Sequence, residues 1–104
     1  MTYRVIIPDE VVEAISHQVR YLRAEGAPDD RLEHWLERLF EKIDSLSSHP
    51  HRFPVARAVS SARGYELRRL NFGAYAVFFR VAEAAKLVEI VALRHGRQRP
   101  WEEG

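Results

Sequence analysis

Residues 64–99, GYELRRLNFGAYAVFFRVAEAAKLVEIVALRHGRQR, leave the chain little choice but to build a sheet. Three runs rich in β-branched and aromatic residues follow one another at 65–70, 75–81 and 87–93. Asn71-Phe72-Gly73 breaks the first from the second, and Glu83-Ala84-Ala85-Lys86 makes a polar turn before the third. Spacers this short join antiparallel neighbours. Arginines punctuate the same stretch: Arg68 and Arg69 on the first strand, Arg80 on the second, then Arg94, Arg97 and Arg99 around His95. A small sheet so charged invites an anionic partner.

The rest of the chain supplies what such a sheet needs to cover one face. Tyr3-Arg4-Val5-Ile6-Ile7 is a strand candidate stopped by Pro8. Asp9 then opens a helix whose Val11, Val12, Ile15, Val19 and Leu22 recur at helical spacing, and Gly26 is its stop. Pro28 with Asp29 and Asp30 opens a second helix, the acids suiting its positive end. Leu32, Trp35, Leu36, Leu39, Phe40, Ile43 and Leu46 make one stripe along it, ended by Ser47-Ser48-His49-Pro50. Residues 51–63 read as a connector in which Val55 to Val59 can contribute a short strand, and residues 100–104 as a loosely held end. The expected fold is α+β, in the order β-α-α-β-β-β, with the N-terminal helical hairpin on one face of a mainly antiparallel sheet.

At 104 residues without internal repeats or linkers, the expectation is one domain spanning 1–104. Cysteine is absent, which fits a reducing compartment. No run approaches the roughly 18 apolar residues of a membrane span, and no signal-peptide pattern opens the chain, so a cytoplasmic protein is expected. The net charge of +1 conceals an asymmetry: residues 1–44 hold six basic and ten acidic side chains, residues 45–101 ten basic and three acidic. A half of that sign attracts nucleic acid or an acidic protein segment.

These residues, in this order, resemble toxins of the RelE/ParE superfamily of bacterial type II toxin–antitoxin systems. Tyr65-Glu66-Leu67-Arg68 is similar to the family's R-x-L strand. Gly73-Ala74-Tyr75-Ala76-Val77-Phe78-Phe79-Arg80-Val81 resembles its G-x-Y-R-V-x-Y-x-V strand, and Val88 through Arg97 its closing I-L-x-V-x-H-G-x-R element. The resemblance covers about residues 3–99 and implies a RelE/ParE-like toxin neutralised by a cognate antitoxin, alone as a dimer through the hairpin or within a toxin–antitoxin hetero-oligomer. It also implies one of two targets: DNA gyrase for ParE-like members, or ribosome-bound mRNA for RelE-like ones. Where the family frequently has an arginine after the strand tyrosine, this chain has Ala76; it has no tyrosine from Ala76 to Arg99, and its only lysines are Lys42 and Lys86. Those departures turn the reading toward the ParE-like, gyrase-inhibiting branch.

An mRNA endonuclease needs a base for the 2′-hydroxyl, an acid for the leaving oxygen and cations for the phosphorane. His95 is the candidate acid or base, since histidine titrates nearest to working pH. Arg68, Arg69 and Arg94 are its candidate phosphate-holding partners, and Glu66 is either a base or an ion-pair partner of a neighbouring arginine. A gyrase inhibitor needs no catalytic group; Arg57, Arg68, Arg69, Arg80, Arg94, Arg97 and Arg99 then serve as target or antitoxin contacts. A plain nucleic-acid-binding module is a third reading, predicting salt-sensitive binding without toxicity. Residues i and i+2 share a strand face, so Glu66 and Arg68 point one way, Leu67 and Arg69 the other. His49-Pro50-His51 lacks a third ligand, so no metal or other cofactor is expected.

Overall fold

Pro8 and Pro28 divide the N-terminal third into the expected pieces. A computed structural model describes residues 2–98. Its elements are β1 (Arg4–Ile6), α1 (Asp9–Ala24), α2 (Asp29–Asp44), α3 (Arg57–Arg63), β2 (Arg68–Phe72), β3 (Tyr75–Ala82) and β4 (Leu87–His95), with single 3-10 turns at Ser45–Ser47 and Pro50–Arg52. Each long helix starts behind a proline, whose fixed φ and missing N–H suit a helix entrance, and carries two acids in its first turn. Gly26 ends α1 at φ +98°, a conformation that strains any residue with a Cβ. There the Gly26 N–H bonds to Arg23 and the Ala27 N–H to Leu22, the paired closure of a Schellman motif.

The sheet runs β1-β4-β3-β2, with β1 parallel to β4 and the other pairs antiparallel. Leu70, Tyr75, Val77, Phe79, Val88, Ile90 and Leu93 face the helical hairpin and pack with Val11, Ile15, Leu39, Ile43 and Leu46. The opposite face carries a smaller cluster of Val59, Leu67, Ala76 and Phe78, with α3 laid against it. Among the described residues no helix is long and apolar enough to cross a membrane.

Three local expectations are corrected. Residues 57–63 form a helix inside the stretch read as a connector, and of the short strand open to Val55–Val59 only a single bridge from Val55 to Arg68 is present. Arg57–Arg63 has just one buried apolar residue, Val59, which leaves no period to read. The first of the three strands begins at Arg68, because Gly64 to Leu67 are used in leaving α3, with Leu67 bonded through both backbone groups to the Ser60 hydroxyl. It continues through Asn71 and Phe72, so the break shrinks to the two-residue turn Gly73-Ala74, with Gly73 at φ +57°. Val12 and Phe40, both counted in apolar stripes, are exposed at 44% and 40%.

Candidate functional site

One bulge decides which way the functional side chains point. Phe78 pairs with Ala92 and Phe79 with Ile90, so Val91 is an extra residue in β4. Before it Val88 and Ile90 face the hairpin; after it Leu93 and His95 do, while Ala92 and Arg94 take the other side. Unbroken alternation gives the reverse, with His95 on the open face and Arg94 beneath the helices.

The open face therefore gathers Arg69, Arg80 and Arg94. Arg69 lies beside Phe78, and Arg94 beside Ala76, across registered neighbours, so the two cations flank β3 about 12 Å apart, two strand spacings across and two residues along. Arg69 is held by its Nε donating to Asn71 Oδ1 (2.8 Å) and by its guanidinium 5.6 Å from the Phe78 ring centre. Arg80 stands 5.0 Å over the Tyr65 ring and 3.7 Å from Glu89, an exposed ion pair of small energetic value. Between the cations lie nearly buried Phe78 and Ala76. Arg57, the first residue of α3, is exposed; Arg97 follows β4 and is exposed, and Arg99 lies outside the described residues.

Arg68 has a different occupation. Its side chain is only 16% exposed, and Nη1 donates to the carbonyls of Phe53 (2.6 Å) and His51 (3.1 Å). Glu66 sits 3.5 Å from Nη2 as an ion-pair partner, while Nε is buried without a partner among the described residues. The guanidinium thus pins the turn at Pro50–Arg52 to the first strand of the hairpin. Arg68→Ala is expected to cost about 1.5–3 kcal/mol, the worth of hydrogen bonds to a charged group, measurable by urea unfolding.

His95 packs edge-on against Tyr75 at 4.9 Å, and its Nδ1 accepts the Arg97 N–H at 3.0 Å, which places the neutral ring's proton on Nε2. It lies at the Phe72–Tyr75 end of the sheet, while Arg68 is at the other end of β2, about 13 Å along the strand. His95, Arg68, Arg94 and Glu66 are thus distributed over two faces and two ends, and no one phosphate can touch all four.

A polar cluster not anticipated from the sequence ties Tyr3, just ahead of β1, and the Pro50–Arg52 turn to the turn between β3 and β4. Glu83 accepts from the Tyr3 hydroxyl (2.7 and 2.8 Å) and Lys86 Nζ (2.6 Å), and its other oxygen contacts His51 Nε2 at 3.0 Å. The partners are 80 and 32 residues away, so only Glu83–Lys86, three apart, was locally visible. Donation from Lys86 first, then from Tyr3 and His51, holds the Glu83 carboxyl down at about 2. The same bonds raise Tyr3 and Lys86. A depressed carboxylate stabilises the fold fully above its unfolded value of about 4.5, and that stabilisation disappears as pH falls toward about 2. Thermal melts of Glu83→Gln against the parent should therefore converge at the acid end of this window and diverge above it.

A four-stranded mixed sheet, covered by a helical hairpin on one face and carrying arginines on the other, defines a RelE/ParE-type toxin fold. The chain aligns with the crystal structure of the archaeal RelE–RelB complex from Pyrococcus horikoshii OT3 at a TM-score of 0.52 and 24% identity, over 94% of this chain and 100% of that one. Residues 5–100 match the family described as the ParE toxin of the type II toxin–antitoxin system parDE, and the chain belongs to that family. No curated protein matches it significantly.

Proposed function

We propose that this toxin arrests growth by binding DNA gyrase through the open sheet face, and that a cognate antitoxin neutralises it by covering that face. The observation carrying this reading is the separation of the groups that cleavage needs. Arg94 and His95 are adjacent in sequence but lie on opposite faces, and Arg68 is bound to backbone carbonyls. An acid, a base and their cations must converge on one phosphate to cut RNA. A binding surface has no such requirement: guanidinium groups held by their contacts with Asn71, Phe78 and Tyr65 suit docking onto an acidic protein patch. The antitoxin follows from membership of a toxin–antitoxin family, and the archaeal RelE of like fold was solved with its partner RelB. Partly exposed Ile6, registered with Glu89 on β4, adds apolar surface suited to such a cover.

Purified toxin titrated into a gyrase supercoiling reaction tests this directly. Loss of supercoiling or accumulation of cleaved plasmid is expected, reversed by the antitoxin encoded beside the toxin. Full supercoiling activity at saturating toxin, together with codon-phased breaks in mRNA on translating ribosomes, would transfer the protein to the endoribonuclease branch.

A further inference from the structure

On the hairpin side of the molecule, α2 carries charge of opposite sign on two stripes. Glu33, Glu37 and Glu41 recur every four residues on one; Arg31, His34, Arg38 and Lys42 recur at three and four on the other. The basic stripe faces the turn between β2 and β3, and the two enclose a groove of about 520 Å³, the size of a small-ligand site. Its floor is aromatic. Trp35 is half-buried and braced by Phe72 at 5.9 Å and Tyr75 at 5.4 Å, which fixes the indole plane. The Arg31, Arg38 and Lys42 side chains form no ion pair, hydrogen bond or ring contact among the described residues. In the sheet and its β3–β4 turn, by contrast, Arg68, Arg69, Arg80, Lys86 and Arg94 are engaged.

We propose that this groove binds a single strand of nucleic acid, bases stacked on Trp35 and Phe72 and phosphates along the Arg31–Arg38–Lys42 rail. The eleven helical rises from Arg31 to Lys42 measure about 16 Å, the length of four to five stacked nucleotides at about 3.4 Å each. Cations in line beside a rigid aromatic platform are what a sequence-tolerant strand site requires. An acidic peptide would share the cations but gains most from an open strand edge, and the wall here is a hairpin turn (Gly73-Ala74) with no ladder to extend. Trp35 and Phe72 lie on the face opposite Arg80 and Arg94, and only Arg69 reaches the groove wall, through Asn71, so the site stands or falls independently of gyrase binding.

Fluorescence anisotropy with labelled twelve-nucleotide oligouridylate and oligodeoxythymidylate, over a range of salt concentrations, tests the proposal on the purified toxin. Both probes are expected to bind comparably, because neither stacking nor phosphate pairing reads the sugar. Arg31→Gln with Arg38→Gln and Lys42→Gln should weaken binding at least about tenfold and reduce the salt slope by about 2, some 0.7 per lost cation. Arg80→Gln with Arg94→Gln should change neither. In a Trp101→Phe background the remaining Trp35 fluorescence should be quenched on binding, which a purely electrostatic contact would not produce. The proposal is overturned if the parent shows no salt-dependent binding, if the open-face variant loses affinity instead, if Trp35 emission is unmoved, or if polyglutamate displaces the strand at equal concentration.

Discussion

Toxin with Arg69, Arg80 and Arg94 all replaced by glutamine is expected to permit normal growth when its gene is induced, while still folding. Arginine is among the residues that dominate interface energetics, with losses of about 2 kcal/mol or more at central positions. Three such losses amount to roughly 6 kcal/mol if they add, or about four orders of magnitude in affinity. The fold depends on these groups far less. Arg69 and Arg80 are exposed, and their contacts with Phe78 and Tyr65 are ring contacts worth about 0.5–1 kcal/mol each. Colony counts on inducing medium, paired with circular-dichroism melts, separate the two effects. A triple lysine variant keeps the charge but loses the planar fork, and should show intermediate toxicity. Undiminished killing by a folded glutamine triple would show that the open face is not the contact surface.

The largest loss of stability is expected from Phe79→Ala. Phe79 is fully buried on β3, edge-on to Phe53 at 6.0 Å, and sits where the register shifts between Arg68 on one neighbour and Ile90 on the other. Removing its ring leaves a cavity beneath both the hairpin and the pinned turn, at a cost of about 3–5 kcal/mol. Against a total stability of about 5–15 kcal/mol this is severe, and the melting temperature should fall by roughly 15–30 °C. Phe40→Ala removes the same ring from a 40% exposed position and should stay within about 1 kcal/mol of the parent. Equal melting temperatures for the two variants would contradict the core described above.

Much of this architecture is legible in the sequence because its large elements repeat their own signal. The stripe from Leu32 to Leu46 spans four helical turns, and the three β-rich runs are bounded by Gly73 and by Glu83 to Lys86. What escapes has a physical cause in each case. α3 contributes one buried side chain, too few to show a period. Arg68 reads like its neighbour Arg69, since the carbonyls that hold it belong to residues 15 and 17 positions earlier. The extra residue Val91 leaves no mark in a run as uniformly apolar as Ile90-Val91-Ala92-Leu93, yet it reverses the facing of Arg94 and His95. The basic stripe of α2 was in plain view at spacings of three and four, but its acidic counterpart cancels it in any count of net charge.

The most direct single measurement is brief induction of the isolated gene in a bacterial host, followed by gel analysis of plasmid topology. Relaxed or cleaved plasmid within minutes, with primer extension on abundant mRNAs showing intact transcripts, is the result expected of a gyrase inhibitor. Normally supercoiled plasmid beside codon-phased mRNA breaks would contradict it and would assign His95 and the arginines to an endoribonuclease.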